Sequence, residues 1–278
     1  MRASRNNQGH MKTADDAPKK KPPENPVIKS AGRVFEVLEF FRESRRHLSV
    51  REIAERFGYP LSSTSVLVKS IAELGYLSYD SQLRAYMPTI RVAMLGDWIY
   101  ESTFAGGEIL SLMHDLSNRT RETVILGVQN DIFAQYVQVI QSTYPIQFYI
   151  SPGTRRPVCL SGTGWALLAT QTDAAIERTV QRTESRLDKA GLLEPITLKS
   201  VMAAVAKVRQ HGYVYSRGTN TPGAGVIAAP LPGAVGGSRL VVGLGGPIER
   251  LDEGEKRLVK EMMAAIKAYA GKARRKRA

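Results

Sequence analysis

The stretch Ser49–Leu77, "SVREIAERFGYPLSSTSVLVKSIAELGYL", decides how the first part of this 278-residue chain folds. Ser49 and Glu52 stand at the spacing of a capping box, in which a serine and a glutamate satisfy each other's orphan amides at a helix start. Ile53, Ala54 and Phe57 follow at helical spacing. Gly58 suits the left-handed turn that closes a helix, and Pro60 bars its continuation. A second helix follows, with Ser62 as its expected cap and Gly75 as its stop. Its inward face is expected to be Leu67, Ile71 and Leu74, supported by Thr64 and Val68. Its first turn is a run of hydroxyls, Ser62 to Ser65, where a packing helix would carry bulk.

Upstream, Val34, Leu38 and Phe41, with Phe35 and Val37 alongside, predict an amphipathic helix capped by Ser30. Downstream, "YLSYDSQLRAYMPT" reads as two short strands around a turn near Asp80-Ser81. Three helices, a tight turn and a trailing hairpin make a winged helix-turn-helix. In that arrangement the third helix enters the major groove of DNA and the second crosses the backbone. Ser62, Ser63, Ser65, Val66, Lys69 and Ser70 then form the reading face. Small hydroxyls permit close approach and bond to base edges or phosphates, and Val66 suits a thymine methyl. Arg51, Lys69 and Arg84 are expected on phosphates. A solvated, strongly capped helix would also show a serine-rich start; the order of helix, turn, helix and wing decides for DNA.

The chain is long enough for two domains, and its 43% hydrophobic and 23% charged residues are ordinary for a globular protein. A single cysteine, Cys159, excludes an internal disulfide framework and points to a reducing, cytoplasmic setting. The N-terminus shows no apolar signal core, and the most apolar stretch, Val226 to Ile248, is broken by glycine, proline and Arg239, so no membrane segment is expected. The net charge of +13 is unevenly spread: +3 in residues 1–26, +3 in 27–91, +6 in 267–278, and only +1 in 92–266. The excess therefore sits on the expected DNA-binding part and on basic ends that either solvate or add phosphate attraction.

Residues 91–106 read as a linker helix whose Leu95, Trp98, Ile99 and Phe104 offer a dimer seam. Beyond it the pattern mixes helices ("EILSLMHDLSNRT", "GWALLATQ", "LKSVMAAVAKVRQHG", "DEGEKRLVKEMMAAIKAYAG") with strands ("ETVILGVQN", "FAQYVQVIQS", "IQFYI", "YVYS", "GVIAAPL", "SRLVVGLGG"). That is an α+β domain with a mainly antiparallel sheet. The expected layout is a basic leader at 1–26, the DNA-binding domain at 27–90, the linker at 91–106, the second domain at 107–271 and a basic tail at 272–278. No catalytic set emerges. His10, His47, His114 and His211 are scattered without metal-ligand spacing, and Ser161 in "LSGTG" lacks a nucleophile elbow. "GLGGP" meets a proline instead of a helix, and Cys159 lies among apolar neighbours. No cofactor or metal is expected.

This order of elements resembles the IclR family of bacterial transcription regulators, from about Val27 to Ala270. "IKSAGRVFEVLEFF", "LSVREIAERFGYPLSSTSVLVKSIAELGYLSYD", "RPVCLSGTGWALLA", "VRQHGYVYS", "GVIAAPL" and "VVGLGGPIERL" carry the resemblance jointly. It implies a GAF-like α+β effector-binding domain and a homodimer or dimer of dimers on promoter DNA. It also implies a small metabolite, frequently a carboxylate, as effector. An arginine common in the family is Val66 here, and a lysine common in the pocket loop is Trp165. The family's acidic stretch becomes Arg217-Gly218-Thr219, its cysteine becomes Val226, leaving Cys159 elsewhere, and two serines become Gly243 and Gly245. The ligand-binding candidates are thus Cys159, Gly162, Thr163, Trp165, Arg217, Val226, Gly243 and Gly245. These changes lead us to expect a larger, less polar pocket and an effector bulkier than a short keto acid, such as an aromatic carboxylate held by Arg217 and the Gly162–Thr163 amides. The alternative is a constitutive DNA-binding protein whose second domain serves only assembly.

Overall fold

The computed structural model describes residues 28–97, 104, 107–187, 196–234 and 237–275, the side chains of the last three excepted. The chain divides into two compact units between Leu95 and Gly96.

The first unit opens with α1 (Lys29–Ser44), α2 (Val50–Phe57) and α3 (Leu61–Glu73). The hairpin β1 (Leu77–Asp80) and β2 (Ala85–Pro88) follows, then the short α4 (Ile90–Met94). Val37, Phe41, Leu48, Ile53, Val68 and Ile71 form the core with Leu77 and Tyr86. Three local expectations are corrected. α1 starts after Ile28 without a side-chain cap, so Ser30 lies inside its first turn. Pro60 is the N-cap of α3, and its carbonyl accepts from the Thr64 amide (3.0 Å) and the hydroxyls of Ser63 (3.0 Å) and Thr64 (2.9 Å). Ser62 therefore sits within the helix. The buried face of α3 runs Thr64, Val68, Ile71. Its next helical step falls on Gly75, which leaves Leu74 exposed.

The hairpin pairs Leu77 with Pro88 and Asp80 with Ala85. Asp80 holds the turn by accepting from the amides of Gln82 (2.9 Å) and Leu83 (3.0 Å). Of the expected linker residues, Leu95 is exposed and Phe104 packs on the core of the second unit. Trp98 and Ile99 lie outside the described residues.

The second unit is a six-stranded antiparallel sheet in the order β5-β4-β3-β8-β7-β6. Its strands are β3 (Thr123–Asn130), β4 (Phe133–Ile140), β5 (Arg155–Pro157), β6 (Val214–Arg217), β7 (Ala224–Pro230) and β8 (Leu240–Pro247). One face carries α5 (Glu108–Thr120) and α9 (Ile248–Arg275), with Leu112, Leu116, Leu251 and Leu258 packed on Leu126, Val242 and Leu244. Strand alternation sends Ala134, Ala228 and Val241 to the other face, against Ala166 and Leu167 of α6 (Gly162–Leu168). α7 (Asp173–Arg186) and α8 (Leu198–His211) enclose a further apolar cluster around Leu168, Ile176 and Val205. This α+β architecture is the one expected. "IQFYI", expected as a strand, has no regular structure. It lies between Pro145 and Pro152, and the strand that pairs β4 is instead the three-residue β5. α7 was not expected.

Candidate DNA interface and ligand cavity

The helix-turn-helix is fixed by contacts local in sequence. Glu52 accepts from the Ser49 amide (2.8 Å) and hydroxyl (2.8 Å), and the Ser49 hydroxyl accepts from the Glu52 amide (3.3 Å). The Ser49 amide, Arg46 and the Ser49 hydroxyl hold the Glu52 carboxyl down to about 2. Gly58 closes α2 at φ 65°, a conformation glycine takes without strain. Tyr59 then donates its hydroxyl to Glu36 on α1 and receives the Arg33 guanidinium over its ring, 4.3 Å from the centroid.

An open groove of about 1100 Å³ runs between α2, α3 and the hairpin. It brings together five of the eight expected DNA-binding residues: Arg51, Ser62, Ser65, Lys69 and Arg84. Ser63, Val66 and Ser70 are exposed on α3 outside the groove lining. Val66 is an uncovered branched apolar side chain at 66% exposure. Ser70 donates to the Val66 carbonyl (2.9 Å), leaving its oxygen free to accept. Arg51 is paired with Glu55 at 2.8 Å, an exposed (i, i+4) pair that solvent screens and a phosphate can displace. Tyr79 on the wing also lines the groove, its ring 4.9 Å from that of Tyr86. The sequence carried a signal for it, a tyrosine two positions beyond buried Leu77 in a strand.

In the second unit, a cavity of about 130 Å³ opens on the sheet face that carries α6. Tyr136, Val226 and Gly245 form its sheet wall, and Ser161 and Gly162 its α6 wall. Phe148, Tyr149 and Ile150, from the irregular segment, lie along it, and Thr219, Asn220 and Thr221 close the side after β6. Asn220 is braced by donating to the Leu160 carbonyl (2.7 Å).

Of the expected ligand residues, Gly162, Val226 and Gly245 line this cavity and the other five do not. Thr163 is fully buried behind it, 3.4 Å from the Tyr136 hydroxyl and 3.5 Å from that of Ser161. Trp165 is turned away, its indole donating to the Cys159 carbonyl (2.8 Å). Cys159 belongs to the α7–α8 cluster, its sulfur 3.5 Å from the Thr183 hydroxyl, and burial pushes its thiol up. Arg217 stacks on Tyr215 and bonds Asp252 (3.0 Å) and Glu255 (2.9 Å), so its charge is already met outside the cavity. The Ser161 hydroxyl caps the seven-residue α6 by accepting from the Gly164 amide (3.1 Å), next to the Gly162 and Thr163 amides that were expected to hold an anion. A methyl at Gly243 would stand 3.2 Å from Val226 and 3.3 Å from Thr163, so the glycine at this position serves close packing. Arg156 lines the cavity beside Tyr136, and neither was expected there. The register that places them together required β5, which was not read.

Two family models match the chain: the IclR helix-turn-helix domain over residues 30–81, and the bacterial transcriptional regulator IclR C-terminal domain over residues 108–274. Among curated relatives, the HTH-type transcriptional regulator XynR of Escherichia coli is 24% identical over 209 residues, covering 74% of this chain and 81% of that protein. The solved effector domain of an IclR regulator from Acinetobacter sp. ADP1 is 29% identical with a TM-score of 0.56, over 61% of this chain and 98% of that one. An IclR homologue from Microbacterium hydrocarbonoxydans, solved in complex with 4-hydroxybenzoate, shares the fold at a TM-score of 0.63 and 19% identity, over 86% of this chain and 98% of that one.

Proposed function

We infer the detailed function from a firm premise: the chain belongs to the IclR family of bacterial transcriptional regulators and is a DNA-binding regulator, not an enzyme. On that premise α3 is the recognition helix. Ser63, Ser65, Val66 and Ser70 face base edges, while Ser62, Arg51, Lys69 and Arg84 fix the register on phosphates. The protein works as a homodimer or a dimer of dimers, because paired half-sites require paired recognition helices.

The second unit binds a small organic effector built on one aromatic ring, and this binding alters promoter affinity. The observation that carries this reading is the cavity wall itself. Tyr136, Phe148 and Tyr149 bring three rings to a space of about 130 Å³. An enclosed apolar cavity of about 150 Å³ holds a benzene ring. The bound 4-hydroxybenzoate of the Microbacterium relative supports the same class. An effector acts only if it binds the DNA-competent and DNA-incompetent arrangements with different affinity.

The test is a thermal-shift screen of the full chain against short keto acids and single-ring aromatic acids. Aromatic acids should raise the melting temperature in a concentration-dependent way. A rise with pyruvate or glyoxylate and none with any aromatic acid would overturn the effector class.

A further inference from the structure

Arg156 has no acidic side chain within ion-pair distance among the described residues. β5 pairs with β4 so that Arg156 stands opposite Ala134. Directly paired residues share a face of the sheet, and Ala134 and Tyr136 both point to the α6 side. The register therefore turns Arg156 inward, beside Tyr136, while its neighbour Arg155 lies on the other face, over the Phe133 ring at 4.1 Å. Arg156 is half-buried and lines the cavity. It makes no ion pair among the described residues, and the cavity lining contains no Asp or Glu. Arg217 is met by Asp252 and Glu255, Arg250 by Glu122, and Arg182 and Arg186 by Asp131; Arg121, Arg155, Arg178, Arg239 and Arg257 also lack an ion pair among the described residues, but none of these lines the cavity, as Arg156 does. Tyr136 is buried and its phenol pKa is raised by that burial, with Thr163 and the Arg156 charge opposing the rise.

We propose that Arg156, with the Tyr136 hydroxyl beside it, is the specificity-determining anchor for the acid group of the effector, placing that group at the β4–β5 end of the cavity. The proposal rests on the effector reading above and deepens it. A half-buried guanidinium gains most from a carboxylate, which its planar fork can take in a bidentate bond. A neutral ring of the same size leaves the cation unmet. The ring then lies toward Val226 and Gly245, away from the short strand.

Isothermal calorimetry on the full chain tests this, with 4-hydroxybenzoate and neutral 4-hydroxybenzamide as probes, on the wild type and on Arg156→Gln and Arg156→Lys. The wild type should bind the acid at least tenfold more tightly than the amide. Arg156→Gln should lose that preference while still binding both probes weakly, and Arg156→Lys should regain part of it. Thermal melting without ligand supplies a second reading: Arg156→Gln should unfold no lower than the wild type, since it removes an unpaired charge. Equal binding of acid and amide by the wild type would overturn the anchor and leave the aromatic cavity standing. Binding of neither probe would overturn both. An unchanged acid preference in Arg156→Gln, or a melting temperature lowered by several degrees, would make Arg156 a structural residue only.

Discussion

At the scale of single residues, the DNA-binding unit depends on a few local bonds. Replacing Ser49 with Ala removes a helix cap that is typically worth about 1 kcal/mol. Thermal melting of the full chain should show the transition of the first unit lowered by several degrees, with that of the second unmoved. The same box sets a pH dependence. The folded-state pKa of Glu52 lies near 2, below its ordinary value of 4.5. A depressed carboxylate stabilises the fold fully above the unfolded value and loses that contribution as pH falls toward the folded one. Stability of the first unit should therefore decline between pH 4.5 and 2, and Glu52→Gln should flatten that part of the profile when melting is followed against pH.

At the scale of elements, the α3 face can be divided by salt. If Lys69 contacts one phosphate, Lys69→Ala should reduce the slope of log affinity against log salt by roughly 0.9 in anisotropy titrations. Val66→Ala should leave that slope alone and weaken discrimination at one base pair by about 1 kcal/mol. In the second unit, buried Glu122 takes two bonds of 2.7 Å from Arg250, which also donates to the Ile146 carbonyl (2.8 Å). This tie joins the start of β3 to the first turn of α9 and to the segment over the cavity. Glu122→Ala should destabilise the unit by about 3–5 kcal/mol, because it strands a partly buried cation. Urea unfolding would show it, and adding Arg250→Met should recover part of the loss.

The same elements show what was legible in the sequence. The α2–turn–α3 unit was, because its capping box, Gly58 and Pro60 act within a few residues. α7 was not: its buried face alternates Ile176 and Val180 with Thr179 and Thr183, so threonines mask the helical period. β5 was not, since three residues carry no period of their own and take their orientation from β4. "IQFYI" carries a strand composition but lies beside the cavity. Of the ligand residues carried over from the resemblance, Gly162, Val226 and Gly245 line the cavity. Those whose role depends on a partner, Arg217 and Trp165, had met other partners.

At the scale of the molecule, the central claim is that the cavity and the recognition helix are coupled. The uneven charge, concentrated on the first unit and the basic ends while residues 92–266 carry only +1, fits a protein whose DNA affinity is electrostatic. Family membership establishes a regulator; coupling to a ring-bearing acid is what remains to be measured. The direct measurement is a fluorescence-anisotropy titration of the full chain onto a DNA sequence selected by the protein from a random pool. It should be made with and without 4-hydroxybenzoate at a concentration that saturates the cavity by calorimetry. The account predicts a change in DNA affinity of fivefold or more, in either direction, corresponding to about 1 kcal/mol or more of coupling. Identical DNA affinity with the cavity filled would contradict it and leave a constitutive DNA-binding protein.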